Sequence, residues 1–214
     1  MTEMTEPSLH HALTDVRKAY RLLWAFQKRV IAYNRIIRDR LGFEHNDAGS
    51  RFAKPNGADP ELCYTWDFLP MVQYRFVSKR VQAEKWWETP KAGDAILYVR
   101  LRADTGLPMQ SKNEPDALTF PSVESCRTLL QIAIILNQRD RDANIKFNDM
   151  TGQCALLDEA RNEFRPGFPV DGVDVFHTHL DMTELGDEMA LLGQVDDFAT
   201  QAAKALGTIF APHR

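Results

Sequence analysis

The chain has 214 residues, 44% of them hydrophobic and 26% charged, with a net charge of −4 and three cysteines. That balance excludes a disordered or collagen-like chain, and no stretch reaches the roughly 18 consecutive apolar residues of a membrane helix. Cys63, Cys126 and Cys154 form no C-x-x-C pair, and the acidic segment Met1 to Ser8 lacks the features of a secretory signal, so a reducing cytoplasm is the expected compartment.

Charge is unevenly spread. Between Leu9 and Leu41, Arg17, Lys18, Arg21, Lys28, Arg29, Arg35, Arg38 and Arg40 stand against Asp15 and Asp39 alone, whereas from Thr151 onward eleven acidic residues face four basic ones. Ends of opposite sign attract within a monomer or between subunits, or stay separately solvated.

In chain order, residues 1–8 read as a disordered N-terminus and residues 9–210 as a single α+β domain. Leu9, Leu13, Val16, Tyr20, Leu23, Val30, Ile37 and Leu41 recur at a four–three spacing, which predicts a helix burying one stripe, begun by Pro7 and Ser8 and stopped by Gly42. At 1.5 Å per residue it extends about 50 Å, against a diameter of roughly 45 Å for a compact chain of this size, so it spans or overhangs its domain. Gln27 and Asn34 lie on the same stripe, either setting the register of a helix pair or resting at its boundary.

Residues 44–61 are rich in Gly, Pro, Asn and Asp and read as a loop. Strands are then expected at Leu62 to Phe68, across Val72, Tyr74 and Phe76, and at Ala95 to Arg102, where Ala95, Leu97, Val99 and Leu101 oppose Ile96, Tyr98, Arg100 and Arg102. Leu129 to Leu136 is almost continuously apolar and reads as a central strand buried on both faces. Two polar stretches, Asp104 to Ser125 and Arg139 to Asp149, read as loop and turn, Cys154 to Phe164 fits strand or helix, and Val173 to Leu180 reads as a last strand. A closing helix is expected from Met182 to Leu206, capped through Asp181 and Glu184. The expected fold is a mainly antiparallel sheet of about five strands packed against a long N-terminal helix and a C-terminal helix.

Candidate chemistry centres on His177, His179 and Asp181. Side chains two apart on a strand share a face about 6.6 Å apart, so both imidazoles can reach one divalent metal such as zinc at ~2.1 Å, with Asp181 joining if the chain turns at Leu180. The segment Val173 to Asp181 resembles the H-x-H-x-D-H element of the metallo-β-lactamase family, which implies a di-zinc hydrolase. Met182 stands in place of that motif's third histidine and only His213 follows it, so the chain is not assigned to that family. A purely structural role, with Asp181 as a cap and the histidines held by hydrogen bonds, competes with metal binding.

A second cluster, Lys79, Arg80, Lys85, Trp86 and Trp87, joins cations to adjacent aromatic rings, as single-stranded nucleic acid binders do. Overall acidity argues against nucleic acid and leaves these residues as core or protein-contact material. Cys126 has no histidine or carboxylate tied to it by spacing, and phosphate loops and nucleophile elbows are absent. The expected function is thus a non-enzymatic binding or regulatory protein, a homo-oligomer or the receptor of a protein partner, acting through its long N-terminal helix or aromatic sheet face. The alternative is a metal-dependent hydrolase at His177, His179 and Asp181.

Overall fold

A computed structural model describes residues 6–50, 73–81, 90–107, 119–140, 147–154 and 157–211. The first helix, α1, runs from Glu6 to Leu41, so Pro7 lies in its first turn, where a missing N–H leaves no bond unmade. It ends as the sequence predicts. Gly42 adopts φ 72°, the amide of Phe43 donates to the Arg38 carbonyl and that of Gly42 to Asp39, which closes the last turn on a left-handed residue.

Among the described residues six strands form one antiparallel sheet: β1 (Glu44–Ser50), β2 (Gln73–Arg80), β3 (Ala95–Arg102), β4 (Leu129–Asn137), β5 (Glu163–Arg165) and β6 (Val173–Asp181), in the order β1-β2-β3-β4-β6-β5. β3 and β4 occupy the places expected of them, and every residue of β4 is buried. The strand expected at Leu62 to Phe68, like Val72, lies outside the described residues. Part of the stretch expected as a loop is strand instead. β1 pairs with β2 through a register shift between His45 and Asp47. An edge strand needs backbone pairing on only one side and tolerates polar side chains and bulges, so β1 carries no apolar alternation.

One sheet face is covered by α1 and α3 (Glu188–Leu206). Val30, Ile37 and Leu41 of α1, Leu97 and Leu101 of β3, Leu130, Ile132 and Ile134 of β4, and Val195, Phe198 and Ala202 of α3 form one buried cluster. Tyr33 donates from its hydroxyl to the Leu185 carbonyl at 2.6 Å, and Arg40 grips Asp196 with two bonds of 2.6 and 2.8 Å. The opposite charges of the two chain ends therefore meet at least once within a single chain. Asn34 is buried in this interface and Gln27 is half-buried where α1 leaves the body.

The second face has a smaller apolar cluster, in which Ile96, Tyr98, Ala133, Ile135 and Val175 meet Cys154 and Leu157. Its cover is a short helix, α2 (Phe147–Cys154), and the irregular chain at residues 157–162 leading into β5. α2 begins inside the region expected as a polar turn, because eight residues are too few to develop a clear apolar period.

The C-terminal helix starts later than expected. Asp181 caps a single 3-10 turn, Met182–Glu184, by accepting from the Thr183 amide, and α3 proper is capped by Asp187, which accepts from Ala190. Among the described residues no helix is long and apolar enough to cross a membrane. Phe198 is fully buried with its ring 5.3 Å from that of Phe176. Phe198→Ala is expected to cost about 3–5 kcal/mol in denaturant unfolding, whereas Leu13→Ala, on the exposed part of α1, stays within about 0.5 kcal/mol.

Candidate functional site

Antiparallel register turns the alternation of single strands into rows across the second face. Arg75 of β2, Arg100 of β3, Gln131 of β4 and His179 of β6 are successive neighbours. One row along lie Gln73, Arg102, Leu129 and Asp181, and on the other side Val77, Tyr98, Ala133, His177 and Glu163. Neighbouring strands are about 4.8 Å apart, so residues far apart in the chain become a contiguous polar surface.

β6 places His177, His179 and Asp181 on this one face, and the two imidazole rings meet edge to face with centroids 5.9 Å apart. Their environments differ. His177 is sealed from solvent, with neither ring nitrogen hydrogen-bonded among the described residues and Glu163 Oε2 3.5 Å from its Nε2. Burial pulls its pKa down to about 4, assisted by His179 and Arg165 and opposed by Glu163 and Asp158. His179 is half-buried. Its pKa is also lowered by burial, against the pull of its bond to the Ala160 carbonyl and the charge of Glu159, with Arg100 and Arg102 adding to the lowering. Both rings are therefore neutral at pH 7, the form able to accept a proton or a metal.

Asp181 does not fold back toward them. The chain stays extended through Leu180 and turns only at Met182, and the Asp181 carboxylate accepts from the Thr183 amide at 3.0 Å and the Thr183 hydroxyl at 2.7 Å. Those bonds hold its carboxyl below the ordinary range. Among the described residues no group of three His, Cys, Asp or Glu side chains is arranged to hold a metal ion.

The other sequence candidates are dispersed. Lys79 lies on the second face opposite Ile96, whereas the Arg80 guanidinium donates to the Ile209 carbonyl and rests 5.2 Å from the Phe210 ring centroid, tying β2 to the chain after α3. Lys85, Trp86 and Trp87 lie outside the described residues.

Beside His179 is a cleft that sequence reasoning did not find. One lobe of about 210 Å³ is lined by Arg100, Arg102, Gln131, Asp158, Glu159 and His179, with Leu129 and Leu157 as apolar walls. An adjoining lobe of about 240 Å³ adds Arg127, Arg161 and Asp181 while sharing Leu129, Glu159 and His179. Glu159 bridges two cations, with Oε1 2.9 Å from Arg102 and Oε2 2.6 Å from Arg127, and Arg161 pairs with Glu184. The alternation of β3 put Arg100 and Arg102 on one face. Nothing in the local pattern placed Gln131, Arg127 or Glu159 beside them.

A family model described as PM0109 matches residues 6–207. No curated protein and no solved structure matches the chain.

The low His177 pKa makes stability depend on acid in a definite direction. Between about 4 and the ordinary 6.5 the unfolded chain binds more protons, so the stabilisation held by the neutral ring is complete above 6.5 and lost as pH falls to about 4. Urea unfolding should register this as a loss on the order of 2–3 kcal/mol over that window, reduced in His177→Gln. NMR titration of the His177 ring at its ordinary value contradicts it.

Proposed function

The chain belongs to the PM0109 family, and we propose that it is a non-enzymatic binding protein of the cytoplasm that works as a homodimer joined through the projecting half of α1. The single observation that carries this reading is the change in burial along one helical stripe. Val30, Ile37 and Leu41 are fully buried in the chain's own core, whereas on the same stripe Leu9, Leu13, Val16 and Tyr20 are 48 to 66% exposed. Trp24 and Ile31 add further exposed apolar surface beside it. Isolated side chains of this kind are ordinary on a surface, but a continuous row is the mark of an interface.

The pattern is that of a coiled coil. With Leu13 and Tyr20 at the a positions and Leu9, Val16 and Leu23 at d, the flanking e and g positions hold His10, Ala12, Arg17, Ala19, Trp24 and Phe26. The remaining basic residues of the projecting half, Lys18, Arg21, Lys28 and Arg29, fall at b, c and f, facing away from the seam. A second copy can therefore cover the seam without opposing rows of like charge. A basic partner is disfavoured by the same outer face, and an acidic one would leave the apolar row unsatisfied.

Among the described residues, local contacts support this part of the helix. Lys18 pairs with Asp15 at 3.0 Å, Arg17 donates to the Thr14 hydroxyl, and the Lys28 ammonium is 5.4 Å from the Trp24 ring centroid. Isolated helices of about 15 residues are marginal in water, so packing against a second copy supplies what these contacts lack. Covering each exposed large apolar side chain contributes roughly 1 kcal/mol, which across the row offsets much of the cost of association. The free thiols of Cys126 and Cys154 fit a reducing compartment.

Sedimentation velocity of the full chain is expected to show a dimer at micromolar concentration. Leu13→Glu combined with Tyr20→Glu should give a monomer whose domain stays folded, with a thermal midpoint that no longer depends on protein concentration, since neither side chain is packed in the domain. A wild-type protein that stays monomeric at its highest soluble concentration contradicts the proposal, as does a double variant that still dimerises.

A further inference from the structure

We propose that the cleft beside His179 is a binding site for a small organic carboxylate that also carries a hydrogen-bond donor, either a hydroxyl or an ammonium group. The site lies on the second sheet face and does not depend on self-association through α1.

The carboxylate preference comes from a clamp that already holds one. Arg102, from the end of β3, and Arg127, from the chain just before β4, each bind one oxygen of Glu159. Each guanidinium gives the carboxylate one charge-assisted hydrogen bond, so that both of its oxygens are held. Glu159 belongs to the irregular chain at residues 157–162, and its side chain is 38% exposed, so this ion pair stabilises little. Glu159 is in effect an internal surrogate that an incoming carboxylate displaces. The Arg102 Nε, buried and without a hydrogen bond among the described residues, is a further donor on the same guanidinium.

The second half of the ligand is set by Gln131. It is only 3% exposed, lines the cleft, and donates from Nε2 to the Cys154 carbonyl at 2.9 Å. That bond fixes which end of the amide is the carbonyl, and Oε1 is left as a buried acceptor with no partner among the described residues. An unpaired buried acceptor is costly, and a ligand hydroxyl or ammonium removes that cost. Leu129 and Leu157 give the lobe beside Gln131 apolar walls, while that lobe's volume of about 210 Å³ suits a small organic acid better than a drug-sized molecule. The neutral His179 ring adds a versatile polar edge and no charge.

The test is NMR titration of the full-length protein with acetate, glycolate, glycine and inorganic phosphate, using wild type, Glu159→Gln and Glu159→Gln/Arg127→Ala. The expected result is saturable binding of glycolate or glycine, tighter than acetate, strengthened about tenfold by Glu159→Gln and lost when Arg127 is also removed. Arg127 is half exposed, so its replacement leaves the fold intact, which a circular dichroism spectrum verifies. Failure of all four probes to bind Glu159→Gln overturns the proposal, as does binding indifferent to Arg127. Acetate binding as tightly as glycolate and glycine overturns the donor requirement, and phosphate binding more tightly than every carboxylate overturns the ligand class.

Discussion

A helix rises 1.5 Å per residue and cannot shorten, so a 36-residue helix anchored by its C-terminal half must carry its remaining turns beyond the body it anchors to. The rest of the architecture depends on that anchorage. Val30, Ile37 and Leu41 close one side of the sheet together with α3, the Tyr33 hydroxyl ties α1 to Leu185 in the chain just before that helix, and the Arg40 to Asp196 pair joins the two helices. What the anchored half buries, the projecting half leaves open, although one apolar stripe runs through both.

Beneath this layer, β4 is the hinge of the whole sheet. Buried along its length, it faces the helices with Leu130, Ile132 and Ile134 and the opposite side with Gln131, Ala133 and Ile135. Among the described residues, the apolar cover on that opposite side comes from α2 and the chain after it. The same register that seals His177 beside Ala133 and Tyr98 brings Gln131 beside Arg100 and His179 at the cleft. Core and cleft are thus two ends of one surface, divided by how far the second layer reaches. A neutral buried imidazole and a buried amide oxygen without a partner among the described residues both weaken the fold.

Features encoded by local periodicity were legible in the sequence. The four–three spacing of α1, the alternation of β3 and the continuous apolar run of β4 each follow from neighbours within a few residues, and Gly42 and Gly207 end their helices with the left-handed backbone that glycine permits. Features that depend on distant pairing were not. β1 is a strand because β2 is beside it, and its polar residues give no sign of that. The shared face of His177 and His179 was readable from a two-residue spacing, while the burial of one and the half-burial of the other required knowing what covers β6. Asp181 was recognisable as a cap. That it caps a single 3-10 turn, with Asp187 capping α3, follows from a break in the chain at residues 185–187 that composition does not announce. The cleft unites β3, β4, β6 and the chain at Arg127 and Glu159, a juxtaposition that only the sheet order reveals.

In the proposed dimer the two halves of α1 are covered by different things: its own domain, and a second copy of itself. Amide hydrogen exchange measured along α1 over a series of protein concentrations tests this most directly. The account predicts that residues 30–41 are protected equally at every concentration, while residues 9–23 are protected at high concentration and lose that protection on dilution. Rapid exchange of residues 9–23 at all concentrations would contradict it.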